Sequence, residues 1–365
     1  MIRHLYIHIP FCHRICPYCS FYKHRPGKTS AADLVASILA ELRQRQDGLG
    51  VPVRPRTIYL GGGTPSLLAP THLSTLLGGL RSRLDLADLT EWTLEANPAT
   101  FDAAKAQLMA DEGITRVSLG VQSFDPAVLA TLGRDHSPAA AARSFGLLRE
   151  AGIPSVNVDL MFSIPGQSLE CWERSLDAAI ALSPDHLSAY NLTYEQDTPF
   201  FERFEAGTYR DDPDQNAAFF STAIDRLAAA GFEHYETSNY AQPGHRSAHN
   251  QAYWCGQDYL GLGPGAVSTV AGNRWTNVKD TARYASGDFA PREREAISPE
   301  AFALERLALQ LRTAEGLPAA FLTPDQHRKL DDLAAGSLAT FDGQYLTLTR
   351  QGHFLVDSIA AYLVS

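Results

Sequence analysis

Leu5–Cys19 reads LYIHIPFCHRICPYC. A short β-type run, Leu5–Ile9, passes through Pro10 into a loop that sets Cys12, Cys16 and Cys19 at C-x-x-x-C-x-x-C spacing. Three thiolates can hold three corners of a cubane iron–sulfur cluster and leave one iron open to a small molecule. The same three, joined by His8, His13 or His24, also suit a structural zinc ion. The chain has only five cysteines, and Cys171 and Cys255 stand apart from the cluster of three. Such usage fits metal-binding thiolates in a reducing compartment, not a disulfide framework.

Beyond the loop, short β-type runs alternate with amphipathic helical stretches. Thr57–Leu60, Trp92–Ala96, Arg116–Val121, Ser155–Phe162 and His186–Leu192 read as strands after Leu5–Ile9. Ala31–Arg45 puts Leu34, Val35, Ile38, Leu39 and Leu42 on one helical face, and Leu169–Leu182 does the same with Leu169, Trp172, Leu176 and Ile180. Alternation at this pitch predicts parallel βα units. Six units predict the α/β class and an open, partial (β/α)6 barrel, TIM-like but short of eight strands, with one more short strand near Phe232–Thr237.

Working residues of parallel barrels sit at the C-terminal ends of strands. Here those ends run into the cysteine loop, Gly61-Gly62-Gly63-Thr64-Pro65, Glu95 with Asn97, Gln122, and Asp159. Glycines there let backbone approach a ligand and permit positive φ. Glu95 and Asp159 suit cationic or hydroxyl groups, Gln122 both donates and accepts, and Arg134 offers a planar fork to a carboxylate. Ordinary barrel-end salt bridges are the plainer reading of each.

Composition sets outer bounds. At 365 residues the chain is long enough for one large α/β domain and a smaller appendage, and its formal charge of −10 gives no footprint for wrapping nucleic acid. No apolar run approaches membrane-spanning length, and the first residues lack the zones of a signal peptide, so a soluble cytoplasmic protein is expected. Asn239–Asn277 shows little periodicity and Ala285–Ile297 reads as a linker, which divides the chain into a barrel at 1–240, an intervening segment at 241–290 and a tail domain at 291–365. The tail predicts a helix from Pro299 capped by Ser298, a helix from Pro324 capped by Thr323, a hairpin turning at Asp342-Gly343 and a last helix over Arg350–Leu363. That order predicts a small α+β winged-helix-like domain. Its Arg328 and Lys329 are followed by Asp331 and Asp332, so it lacks a basic recognition face and predicts no nucleic-acid partner.

Tyr18 between the last two cysteines, the HLYIHIP run before them and GGGTP after the next strand resemble the radical S-adenosylmethionine superfamily. YIHIPFC, GGGTP, RVSLGVQSF, VNVDLMFSIPGQ and the tail together resemble its anaerobic coproporphyrinogen III oxidase-like group over nearly the whole chain. The resemblance implies a [4Fe-4S] cluster on Cys12, Cys16 and Cys19, and S-adenosylmethionine held by Tyr6, Tyr18, Gly62, Gly63, Thr64, Glu95, Gln122, Arg134 and Asp159. In that group a reduced cluster supplies the electron that splits a carbon–sulfur bond of S-adenosylmethionine.

Two subfamilies of the group separate on local features. The oxidase carries a further cysteine two places after the third, where this chain has Phe21 in Cys19-Ser20-Phe21, and it has a longer extension than the eleven residues that precede Cys12 here. His249-Asn250-Gln251-Ala252-Tyr253-Trp254 matches H-N-x-x-Y-W, the haem-binding motif of HemW-type haem chaperones. A neutral imidazole is a good axial ligand for haem iron, Asn250 can hydrogen-bond backbone or propionate, and Tyr253 and Trp254 offer flat apolar faces. Bare of that resemblance, a histidine followed by aromatics reads as a packing cluster, and Cys255 is a competing soft ligand. The resemblance implies a haem chaperone that delivers haem to haem-accepting, respiratory proteins. A homodimer and peripheral membrane contact through a partner are compatible with it. The alternative is oxygen-independent oxidative decarboxylation of coproporphyrinogen III. Ser163 stands where the family's D-L-x-x-G-x-P-G-Q stretch commonly has glycine, which predicts a narrowed barrel floor near Asp159, and Ser20 stands where many relatives have aspartate.

Overall fold

Apolar and polar residues alternate along the strands, and that period of two decides which face meets the helices. Strands β1 (Ile2–Ile9), β2 (Val53–Gly62), β3 (Glu91–Ala96), β4 (Arg116–Gln122), β5 (Ser155–Phe162) and β6 (His186–Asn191) lie side by side in sequence order and run parallel. Leu5, Ile7, Leu60, Leu94, Leu119 and Val158 belong to one continuous core with Leu34, Ile38 and Leu42 of the helix Ala31–Gly48. Each such aliphatic side chain contributes roughly 1.5–3 kcal/mol by leaving water. The intervening positions are polar and equally buried: His4, Thr57, Thr93, Arg116, Ser118, Asn157, His186 and Ser188. Register aligns them, with Glu95 opposite Ser118, Ser118 opposite Asn157 and Asn157 opposite His186. A closed TIM barrel fills this space with branched aliphatics; here it is lined with hydrogen-bonding groups. The computed structural model describes residues 1–27 and 29–365.

The sheet is wider than expected: the short strand read near Phe232–Thr237 is present as β7 (Glu233–Glu236), and two further strands join it and the six parallel ones. Its order is β7-β8-β6-β5-β4-β3-β2-β1-β9, where β7 and β8 (Asn239–Ala241) add an antiparallel edge and β9 (Leu260–Leu262) adds a parallel strand beside β1. Strands of three residues carry too few positions for a periodic signal, so Asn239–Asn277 looks shapeless in sequence. A second sheet joins β10 (Val267–Val270), β11 (Asn273–Thr276) and β12 (Arg292–Ala296). The last of these falls within Ala285–Ile297, so the second half of the stretch expected to be a linker holds a paired edge strand whose exposed charges hid it. The buried Glu41 carboxylate ties this part of the chain to the first helix. It accepts from Asn277 Nδ2, Gly263 N and the Tyr284 hydroxyl, and pairs with Arg45 at 2.9 Å.

The tail starts where Ser298 accepts from Ala301 N, capping the helix Pro299–Gln310. Thr323 and Gln326 form a reciprocal capping box for the helix Pro324–Ala335. Strands β13 (Leu317–Pro318), β14 (Ala339–Phe341) and β15 (Tyr345–Leu348) pair in the order β13-β15-β14, and Asp342 accepts from the amides of Gln344 and Tyr345 at the hairpin turn. This is the winged-helix arrangement, with its own core of Leu307, Leu311, Leu330, Leu346 and Ile359. The final helix is broken at Leu355 into Arg350–Phe354 and Val356–Val364. Arg350 anchors the tail to the barrel through Asp225, and Phe354 sets its edge on Phe220. Among the described residues no helix is long and apolar enough to cross a membrane.

Candidate functional site

The cysteine loop is clamped from both sides by backbone. Cys12 N donates to His24 O and His24 N to Pro10 O, while Gly63 N and Thr64 N donate to Ile9 O and Phe11 O. Thr64 Oγ1 faces Cys12 Sγ at 3.8 Å, and Arg134 Nη1 donates to Cys16 Sγ at 3.6 Å. Lys23 Nζ donates to the carbonyls of Cys19 and Phe21. All five cysteines are free thiols, and burial pushes the Cys12 thiol up to about 11 and the Cys19 thiol up as well.

Cys12, Cys16 and Cys19 face one cavity of about 670 Å³ at the C-terminal mouth of the barrel. Among the described residues no three His, Cys, Asp or Glu side chains converge as ligands of one ion. A zinc ion requires such convergence at about 2.3 Å, whereas a cubane offers each thiolate its own iron. The three histidines are also occupied elsewhere: His8 with Tyr22 O and the Tyr6 hydroxyl, His24 with Thr281, and exposed His13 with Asp135. Three thiols on one cavity wall, with none of these histidines free to join them, are a donor set that fits a cluster.

Tyr18, Gly62, Gly63, Thr64, Glu95, Gln122, Arg134 and Asp159 line the same cavity. Tyr6 does not: it stands one layer down on β1, stacked on Tyr59. The glycines have a structural reason different from ligand approach. A Cβ on Gly62, at φ +102°, would fall 2.3 Å from the His8 ring, and one on Gly63 would fall 2.7 Å from Ile9 O and Phe11 O. The turn is nested against β1 and its loop. Arg134 is likewise committed, donating to Asn97 Oδ1 and Gly120 O and so bracing the cysteine loop against β4. Ser163 is not on the cavity wall; it adopts φ +61° and its Oγ is buried without a partner. Its effect falls on the backbone and not on the barrel floor.

Two buried carboxyls stand on the cavity wall. Glu95 accepts from the Tyr59 hydroxyl at 2.8 Å and Gly62 N at 3.1 Å, yet burial still pushes it up to about 7. Asp159 accepts from Ser118 Oγ and Asn157 Nδ2 and is also raised by burial. Groups held this way await a cation or hydroxyls. Tyr59, Ser118 and Tyr190 complete the wall and escaped the sequence reading. Counting back by twos from Glu95 to the inward face of each strand is the signal that finds them.

The H-N-x-x-Y-W motif forms the short helix Ala248–Trp254. Buried Glu91 at the start of β3 holds its first turn, accepting from Ala248 N at 2.6 Å, Ser247 Oγ at 3.2 Å and His249 N at 3.4 Å. His249 is 1% exposed, stacked on Tyr59 with ring centroids 5.0 Å apart and met edge-on by Tyr253 at 4.7 Å. Its Nδ1 lies 2.7 Å from Thr57 Oγ1, and its Nε2 has no partner. Burial pushes the imidazole down to about 3, so it is neutral. Asn250 and Trp254 are half-buried, and Cys255 closes the helix with its amide on Gln251 O. Tyr253 also lines a cleft of about 180 Å³ with Tyr259, Arg274 and Arg306. Tyr59 thus touches both regions, its hydroxyl on Glu95 and its ring on His249.

A partial parallel barrel with a three-cysteine loop at its mouth and two carboxyls below it is the arrangement of radical S-adenosylmethionine proteins. Residues 6–179 match the model of the Radical SAM superfamily. The chain overlays with a TM-score of 0.84 on coproporphyrinogen III oxidase (HemN) from Escherichia coli, a radical SAM enzyme, at 22% identity over 99% of this chain and 90% of that one, which shows the shared fold. Within the superfamily the relatives are closer. The chain is 38% identical to the heme chaperone HemW of Mycobacterium tuberculosis over 99% of itself and 94% of that protein. It is 37% identical to the HemW of Escherichia coli and 32% identical to that of Bacillus subtilis, in each case over 97% of itself and at least 96% of the relative. The chain belongs to the HemW family.

Proposed function

We propose that this chain is a haem chaperone: it binds haem through His249, carries a [4Fe-4S] cluster on Cys12, Cys16 and Cys19, binds S-adenosylmethionine in the neighbouring cavity, and hands haem to haem-accepting proteins, respiratory ones among them. The observation that carries it is the bare, buried Nε2 of His249, set in a complete H-N-x-x-Y-W motif of a chain related to HemW over its whole length. A buried ring nitrogen with no partner is an incomplete contact, and an iron centre would complete it.

When bound, the cluster supplies one-electron chemistry and an open iron for the amino-acid end of S-adenosylmethionine. The chain's residues do the rest. Glu95 and Asp159 receive the ligand's cationic and hydroxyl groups, Gln122 donates and accepts at the strand end, and Tyr18 and Met161 exclude water from one side. Thr64 and Arg134 hold thiol sulfurs in place. At the other region Tyr253 shields His249, so haem reaches Nε2 only when the motif helix or the Tyr253 ring moves. If the 180 Å³ cleft opened, Arg306, and Arg274 once released from its pair with Glu305 at 2.6 Å, would offer guanidinium groups to the propionates. Cytoplasmic work, and a division into barrel (1–240), motif segment (241–290) and tail (291–365), belong to the same proposal.

Phe21, 68% exposed at the cavity mouth, cannot replace the oxidase's additional cysteine, which weighs against porphyrinogen decarboxylation. The deciding experiment is an anaerobic haem titration, followed by absorbance, of cluster-reconstituted protein beside His249→Ala. The expected result is tight, histidine-ligated binding that the variant loses. Weak binding equal in both overturns the assignment and directs attention to coproporphyrinogen III turnover.

A further inference from the structure

His249 does not stand alone. Thr57 Oγ1 lies 2.7 Å from His249 Nδ1 and 2.8 Å from His4 Nδ1, and His4 Nε2 lies 2.7 Å from Gln257 Oε1. A hydroxyl carries one proton, so Thr57 can donate to only one of its two imidazoles and must accept from the other. The choice is made at the far end. Gln257 presents a carbonyl oxygen, which only accepts, so His4 carries its proton on Nε2 and exposes a lone pair at Nδ1. Thr57 then donates to His4 and accepts from His249 Nδ1–H. The last link leaves the lone pair of His249 Nε2 bare, and this is the atom without a partner. His4 sets its ring edge-on to His249, with centroids 6.3 Å apart, so the chain is packed as well as bonded.

We propose that Gln257, His4 and Thr57 are positioning residues that fix the tautomer and the ring plane of His249 so that Nε2 is presented to haem iron. The proposal rests on the reading of His249 as the haem ligand. Histidine ligands hold their orientation through the hydrogen bond made by the second nitrogen, and a stronger acceptor there makes the ligand nitrogen more basic. Gln257 is the exposed end of the chain, so the electronic character of a buried ligand is set from the surface. Residues from the first strand, the second strand and the loop after the motif helix thereby enter a site that the motif alone does not define.

The test uses full-length, cluster-reconstituted protein loaded with ferrous haem, read by haem affinity and by the iron–histidine stretching frequency in resonance Raman spectra. Gln257→Glu puts a carboxylate at the end of the chain and should raise the frequency; Gln257→Ala should lower it. Thr57→Val, isosteric but unable to donate or accept, should weaken haem binding by about tenfold or more, and Thr57→Ser should restore it to within about twofold. The Gln257 variants alter an exposed side chain and keep the test available if a Thr57 variant does not fold. Frequencies and affinities unchanged in all of them, with His249→Ala losing the histidine-ligated spectrum, would overturn the positioning chain and leave the ligand assignment standing. A His249→Ala spectrum equal to wild type would instead overturn the ligand assignment on which it rests.

Discussion

The cavity at the barrel mouth and the pocket around His249 share one wall, Tyr59, and are built to opposite specifications. The cavity holds about 670 Å³, and its carboxyls already accept hydrogen bonds from neighbouring side chains and backbone. His249 is sealed between Tyr59 and Tyr253 and keeps one ring nitrogen unmatched. The first is a preformed receptacle, which a small charged ligand can fill without rearrangement. The second is closed, and under the proposed function it would have to open by moving an aromatic ring or a short helix, as suits a cargo that must later be released.

The strongest break in this comparison is Cys16→Ser. The variant should retain less than about a tenth of the wild-type iron and sulfide after anaerobic reconstitution, because three thiolates are the minimum set for the cluster. If the regions work independently, haem affinity of the same variant stays within about threefold of wild type. Loss of both would show that the cluster holds the haem site in register.

Tyr59→Phe sharpens the same contrast. The substitution removes the hydroxyl that donates to Glu95 and keeps the ring that stacks on His249. S-adenosylmethionine should bind about tenfold more weakly, the equivalent of roughly 1.4 kcal/mol for a lost hydrogen bond to a charged group. Isothermal titration with each ligand reads both regions, and haem affinity should move by less than about twofold.

A pH series separates the regions by charge. Folded Glu95 keeps its proton up to about 7, above the usual 4.5, with burial as the main cause. A cationic ligand prefers the ionised carboxylate, so S-adenosylmethionine affinity should rise as pH passes upward through 7, and Glu95→Gln should flatten that rise. Stability runs the other way. Unfolded Glu95 ionises near 4.5 while the folded group still holds its proton, so the ligand-free protein loses stability as pH rises from 4.5 towards 7. Glu95→Gln should therefore be more stable than wild type at pH 8 by about 1–2 kcal/mol, after allowance for a lost hydrogen bond. Thermal melts at pH 5 and pH 8 check the sign.

Much of this was legible in the residues. The cysteine spacing, six parallel strands and the tail's helix caps rest on local rules, and the structure follows them through Ser298, Thr323 and the turn at Asp342. Three-residue strands such as β8 and β9 are decided by long-range pairing that no window of sequence contains. Side-chain ownership was also hidden. Tyr6 and Tyr59 occupy equivalent inward positions on adjacent strands, paired in register, and only the depth of the cavity assigns Tyr59 to its wall. His249 stood out as a motif, but its partners His4, Thr57 and Gln257 are far apart in sequence and meet only in the fold.

The smallest expected effect lies at a position that touches neither ligand region. Ser163 follows β5 with φ +61°, a conformation that costs a residue with a Cβ about 1 kcal/mol and costs glycine nothing. Its hydroxyl is buried without a partner, which adds a desolvation cost of about 1 kcal/mol. Ser163→Gly removes both, and the greater freedom of glycine in the unfolded chain takes back about 0.5–1 kcal/mol. The net should be a gain of about 1 kcal/mol, seen as a higher urea midpoint with an unchanged slope, with haem and S-adenosylmethionine affinities equal to wild type. A loss of stability would mean that the hydroxyl has a bonding partner in solution. A loss of S-adenosylmethionine affinity would mean that the turn after β5 sets the height of Asp159, and the preformed cavity would then depend on a strained backbone just as the His249 pocket depends on its hydrogen-bonded chain.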